Sequence, residues 1–376
     1  MIRIIGVGDI MPGGLLSGRN IPCADGEVQK LLAWGDVRCG TLECAFGDEP
    51  TYDEAKVADR GNVIYAKNED IGRLTELHID IVSLANNHFF DLGPDGAEHT
   101  MKLLDREGIP HCGAGRNLEE AGKPVVKEIS GKKIAFLGFC DTNYKNVYYC
   151  TYATRDTPGV NPMTNDYVES EIKKYAGLYD YIVVLAHWGS EHTFNPNDST
   201  ERMAKLMLRA GANLILGSHP HRIQSVINTR EGSVAYSMGN FLFPERLIAP
   251  PKVTWYPDGE IDYTALPVTD EYPIVDRVTL KTLPFLARVG MIVESKLDGE
   301  KVMSDYTLTY LNKNNTVELL NSVEAKPLRK TLARMGRFLK WDQYHLYILL
   351  IRYRTTIARR LRKAINNIRK NIIHFI

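Results

Sequence analysis

The chain has 376 residues, 44% hydrophobic and 24% charged, with Lys+Arg and Asp+Glu both at 46. That length excludes a small domain, and the composition is ordinary for a soluble globular protein with a large core. The neutral total hides an asymmetry. From Pro327 to Ile376 there are 13 Lys and Arg against one acid, Asp342, so the rest of the chain is acidic.

No run of 18 apolar residues occurs, so no transmembrane helix is predicted. The opening Met-Ile-Arg passes straight into an apolar run, without the charged and apolar regions of a secretory signal. The six cysteines form no CxxC pair and read as reduced thiols. A cytoplasmic location is therefore expected.

In chain order, short apolar runs read as buried strands at Ile4–Val7, Val37–Leu42, Val63–Ala66, Ile79–Leu84, Ile134–Phe139, Tyr181–Ala186, Leu214–Leu216 and Val234–Ser237. Helical patterns fall between them at Gly26–Ala33, Glu69–Leu77, Gly96–Glu107, Asp166–Tyr175 and Ser199–Ala210. The alternation predicts an α/β core. Two apolar runs flank Ser130-Gly131 in Val125–Phe139 and predict a hairpin, so the sheet is partly antiparallel. Residues 244–285 are read as an insertion or lid, rich in Pro, Asp and Tyr with weak periodicity over its first part. Arg288–Glu294 and Lys301–Leu311 read as a further strand pair. This gives one domain over 1–326 and a basic helical tail over 327–376. In the tail, Arg352, Arg354, Arg359, Arg360, Arg362 and Lys363 interleave with Ile357, Leu361 and Ile365. Such a helix suits peripheral contact with the inner membrane surface or packing on a protein. No specific nucleic-acid binding is expected.

The chemistry is positional. Asp9, Glu43, Asn87 with His88, His187, and His219 with His221 each follow the carboxyl end of an apolar run. In an open α/β sheet those ends share one edge, where ligands bind. Imidazole, carboxylate and amide oxygen without thiolate suit Mn, Fe or Zn. The set has the stoichiometry of two divalent ions: Asp9 and His221 on one, Asn87, His187 and His219 on the other, and Glu43 bridging. His88 is then free as a general acid. Read singly, each is weaker: Ala85-Asn86-Asn87-His88 also reads as a turn that caps a helix.

At this point the chain resembles the CapA family of bacterial capsule and poly-γ-glutamate synthesis, itself similar to the calcineurin-like metallophosphoesterases. The resemblance rests on Gly8-Asp9-Ile10-Met11, Thr41-Leu42-Glu43, Ser83-Leu84-Ala85-Asn86-Asn87-His88 with Asp91 and Gly93, Gly159-Val160-Asn161-Pro162-Met163, His187-Trp188-Gly189 with Glu191, Gly217-Ser218-His219-Pro220-His221, and Tyr236-Ser237-Met238-Gly239-Asn240-Phe241. It implies a sandwich of two mixed β-sheets flanked by helices, and the metal roles given above. It departs at Met11, where the wider phosphoesterases place a His, and at Thr41, where the family has Asn. Many members are exported or anchored at the N-terminus, and no such segment is seen here.

Other residues carry two readings each. Glu191 orients an imidazole or is solvated; Asp91 supports His88 or starts a helix; Asn240 contacts the site or packs. Gly13-Gly14 exposes amides to a phosphate or makes a turn, and Arg222 attracts an anion or lies on the surface. Two functions are expected: hydrolysis of an anionic phosphoester in envelope-polymer synthesis, or non-catalytic binding of an anionic polymer in the metal cleft.

Overall fold

The computed structural model describes residues 1–339 except 49–51, 53–60, 143–149, 258, 260 and 271–275; the tail's basic stretch beyond residue 339 lies outside the described residues. The first half gives β1 (Ile2–Ile10), α1 (Gly26–Ala33), β2 (Val37–Leu42), β3 (Ile81–Ser83), α2 (Gly93–Arg106) and β4 (His111–Cys112). The second gives β5 (Val125–Ile129), β6 (Lys132–Asp141), β7 (Pro162–Met163), α3 (Asn165–Ala176), β8 (Tyr181–His187), α4 (Asp198–Ala210), β9 (Leu214–Ser218), β10 (Val226–Asn228), β11 (Ser233–Ala235) and β12 (Asn240–Leu242). The chain continues through β13 (Val289–Asp298), β14 (Lys301–Leu311), β15 (Val317–Leu319) and α5 (Ser322–Leu339).

Two mixed sheets form the sandwich. The first runs β15-β14-β13-β1-β2-β3-β4, with β12 beside the end of β1; the second runs β7-β6-β8-β9-β11-β10, with β5 beside β6. In the first, β1 to β4 are parallel and β13 to β15 antiparallel. Strand alternation sorts the side chains. Ile4, Val37, Cys39 and Ile81 meet Phe136, Val183, Leu185 and Leu216 between the sheets. Ile5, Val7 and Val82 face α1 and α2 on one outer side. Leu137, Val184 and Ile215 face α3 and α4 on the other. Each such fully buried side chain contributes roughly 1.5–3 kcal/mol. The helices begin where a side chain takes up a free amide: Asp25 accepts from Val28 N, and Asn197 from Thr200 N.

The hairpin forms where Ser130-Gly131 predicts it, both residues at positive φ (53° and 72°). One reading is refined. Glu69–Leu77 is a 3-10 turn at Asn68–Ile71 followed by a helix at Gly72–Glu76. The stretch expected as a lid forms a small sheet from Arg246–Ala249, Val253–Trp255, Val268–Thr269 and Thr279–Lys281. Strands of two to four residues are too short to show a period. The pair β13–β14 extends the first sheet from β1, with Ile2 opposite Leu297. Helix α5 crosses the 326/327 boundary unbroken and seats Leu332, Met335 and Leu339 in the apolar clusters. Among the described residues no helix is long and apolar enough to cross a membrane.

Candidate metal centre

The carboxyl ends of β1, β2, β3, β8 and β9 meet at one rim. A register shift in β1 between Gly6 and Asp9 sets the first ligand. Before it, Gly6 pairs with Cys39; after it, Asp9 pairs with Thr41. One extra residue returns Asp9 to the face between the sheets. Gly8 makes this possible, since a Cβ there would lie 1.8 Å from the Gly239 carbonyl oxygen. Glu43 leaves β2 with its amide on the Ile10 carbonyl (2.8 Å). The turn after β3 is tied by Asn86, whose Nδ2 donates to the Leu42 carbonyl (2.7 Å) and whose Oδ1 accepts from His88 N (3.0 Å). Beyond β9, His219 and His221 hold positive φ, 91° and 48°. Left-handed backbone at non-glycine residues costs about 1–3 kcal/mol each and clusters at functional sites.

Six of the seven strand-end residues come together: Asp9, Glu43, Asn87, His187, His219 and His221. Asn87 Oδ1 lies 2.7 Å from His187 Nε2, which lies 3.1 Å from His219 Nδ1. The Ser218 hydroxyl sits between His187 Nδ1 (3.0 Å) and Thr41 Oγ1 (2.9 Å). His219 N donates to Asp9 Oδ2 (3.2 Å). Imidazole-to-carboxylate separations are longer: 3.5 Å for His221 Nδ1 to Asp9, 3.6 Å for His221 Nε2 to Glu43, and 3.7 Å for His187 Nε2 to Glu43. The two Glu43 separations exceed hydrogen-bond length and are compatible with paired donors each about 2.1 Å from a shared cation. Three donor groups emerge among the described residues: Asp9 with Glu43 and His221, Glu43 with His187 and His219, and Glu191 with His219 and His221. Glu43 belongs to the first two.

Electrostatics agrees. Asp9 and Glu43 are wholly buried, and among the described residues Asp9 Oδ1 and both Glu43 oxygens have no hydrogen-bond partner. Burial pushes Asp9 up to about 7, against the pull of the His219 amide. Burial, then the Asp9 charge, pushes Glu43 well above the usual carboxylate range. Burial drives His187 and His219 well below the ordinary imidazole value and His221 down to about 4. Neutral imidazoles beside uncompensated acids are the donor states a divalent cation requires. The residues fit such an ion.

His88 is set apart. Its Nδ1 is 2.7 Å from Asp91 Oδ2, which also accepts from Ile64 N (2.7 Å). The His88 charge is nonetheless felt by Asp9, His187, His219 and His221. Asp91 thus takes the supporting role, and the following helix starts at Gly93. Asn240 contacts the site: its Oδ1 is 2.8 Å from His221 Nδ1, and its Nδ2 donates to the Ala287 carbonyl (2.8 Å). Glu191 groups with His219 and His221, and not with His187. Two pairs of alternatives are narrowed. Arg222 is buried, and its guanidinium donates to the His221 carbonyl (2.7 Å). The Gly14 amide donates to the Tyr256 hydroxyl (3.0 Å).

Sequence reasoning assigned no role to Ser218, Thr41 or Arg246. Arg246 is buried, and its charge lowers the pKa of Glu43, Asp91 and His221. Its sequence setting, Pro244-Glu245-Arg246, gives no period or motif that would single it out.

Two mixed sheets with acids and imidazoles gathered at one rim define a sandwich protein with a candidate metal-ligand cluster. The chain belongs to the family described as bacterial capsule synthesis protein PGA_cap, whose model matches residues 3–245. It is similar to capsule biosynthesis protein CapA of Bacillus anthracis, 33% identical over 64% of this chain and 59% of that one. It is also similar to PGA biosynthesis protein CapA of Bacillus subtilis (strain 168), 31% identical over 58% of this chain and 56% of that one. A probable polyglutamine synthesis accessory protein of Mycobacterium tuberculosis is 26% identical over 55% and 58%. The chain thus spans under two thirds of the length of these relatives. Among solved structures, Haemophilus influenzae NAD nucleotidase aligns over 89% of this chain and 56% of that one, at TM-score 0.41 and 13% identity.

Proposed function

We propose that the protein is a metal-dependent hydrolase of phosphoester or related bonds, acting in the synthesis of capsule, poly-γ-glutamate or another anionic envelope polymer. The observation that supports this most is Glu43, common to two of the donor groups at 3.6 and 3.7 Å from imidazoles on either side. Asp9 and His221 would hold one ion, and Asn87, His187 and His219 the other. The donor types suit Mn, Fe or Zn. When bound, such ions supply Lewis acidity toward a phosphoryl oxygen and acidify water. The chain's own contribution is orientation and proton transfer. Asp91 fixes the His88 ring through Nδ1, leaving Nε2 to give a proton to a leaving oxygen. Asn240 and Ser218 hold the rings of His221 and His187.

The test is hydrolysis of an aryl phosphate with metal content measured on the same sample. The parent should turn over substrate when loaded, and Asp9→Ala should lose at least about 100-fold with its metal. A loaded parent inert across a broad phosphoester panel would sink the hydrolase reading. The second reading, a non-catalytic accessory factor that binds anionic polymer, is favoured by Met11. Its side chain is buried in the apolar cluster beside α1 and α2 rather than offering a ligand. Metal-dependent polymer binding without turnover would select it.

A further inference from the structure

A cleft of about 460 Å³ is walled by Arg19, Lys67, Glu69, Trp255, Tyr256 and Tyr263, with Gly14 in its lining. The volume lies in the range of small-molecule sites, roughly 300–1,000 Å³. Gly14 stands five residues past Asp9, so the cleft begins within roughly 18 Å of the metal centre. Its outer wall is the small sheet that replaces the expected lid.

The walls are fixed. The Tyr256 hydroxyl accepts from Gly14 N (3.0 Å) and donates to the Tyr65 carbonyl (2.8 Å), and its ring meets Tyr65 edge-on at 5.2 Å. The Lys67 ammonium lies 5.5 Å from the Tyr256 ring centre. The Arg19 guanidinium lies 5.0 Å from the Tyr263 ring centre, and its Nη2 donates to the Tyr263 hydroxyl (2.6 Å). Each cation is thereby held beside an aromatic ring. A ligand matched to this has a flat apolar face for the rings, a carboxylate at its edge for Arg19 and Lys67, and hydroxyls to donate to Glu69. An acidic peptide without rings would satisfy the cations and leave the aromatic walls bare.

We propose that the cleft binds a carboxylate-bearing pyranose unit, belonging to a polymer of which another unit reacts at the metal centre. The second half of this statement rests on the rim being a substrate site; the binding itself does not. The experiment is calorimetric titration of the metal-loaded full chain with a galacturonate tetramer, beside neutral maltotetraose and a γ-linked glutamate tetramer. Saturable binding of the acidic sugar alone is expected. Trp255→Ala and, separately, the exposed-residue variant Arg19→Gln should each weaken it at least tenfold, with metal content unchanged. Asp9→Ala should retain it. No binding, unaltered binding in both variants, or equal preference for either comparison ligand overturns the proposal. A protein inert toward phosphoesters that still selects the acidic sugar would show the hydrolase reading failing while the cleft stands.

Discussion

Met11 withholds a nitrogen donor from the first metal position, and Glu191 offers an oxygen donor from another strand end. Its carboxylate lies within 4.8 Å of donor atoms on His219 and His221. Carboxylate is a harder donor than imidazole, so an ion held with Glu191 in place of a histidine is expected to favour Mn or Fe over softer ions. Glu191→Gln keeps the shape and removes the charge. We expect at least about tenfold weaker binding of one ion, read as metal stoichiometry after dialysis against graded chelator. Stoichiometry equal to the parent's at every chelator level would leave Glu191 as a charged neighbour only. The two histidines it joins sit at positive φ on either side of Pro220, so the backbone holds them there against its own preference.

At the scale of elements, the site depends on one irregularity. Without the shift in β1, Asp9 would follow Ile5 and Val7 to the helix-covered face. Gly8→Ala places a methyl carbon 1.8 Å from a backbone oxygen, which no rotamer relieves. We expect a loss of about 3 kcal/mol in urea unfolding together with loss of metal binding; a variant as stable as the parent would show that β1 and the Gly239 turn move apart freely. This bulge also marks the limit of what sequence alone makes legible. Strand-end positions were readable, because each ligand follows its own apolar run, and so were the helices between them. The facing of Asp9 was not, since period-two alternation carries no sign of an inserted residue. Nor was the pairing of β13 with β1, or the arrival of Arg246 beside Glu43, because both are contacts between segments far apart in sequence. The small sheet was invisible for a different reason: its strands are shorter than the window that reveals a period.

For the whole molecule, the buried centre sets how stability follows pH. With Asp9 raised from 3.8 to about 7, its contribution to the metal-free fold is fully present below about pH 4 and is lost as pH climbs to about 7. His221, lowered from 6.5 to about 4, acts oppositely, its contribution disappearing as pH falls through that interval. Asp9→Asn removes the first effect and with it the Asp9 charge that pushes Glu43 up, and leaves the His221 effect in place. By thermal unfolding, the metal-free variant should approach the parent near pH 4.5 and exceed it by at least about 2 °C at pH 8. Saturating Mn should reverse the order. An advantage that fails to grow with pH would contradict an unpaired buried charge. The sheet order has a consequence for folding as well. The strand that carries Asp9 is flanked by β2 on one side and by β13, ending at Asp298, on the other. The first sheet is therefore complete only once segments far apart in sequence have paired, so its assembly is a long-range step rather than a local nucleus for folding.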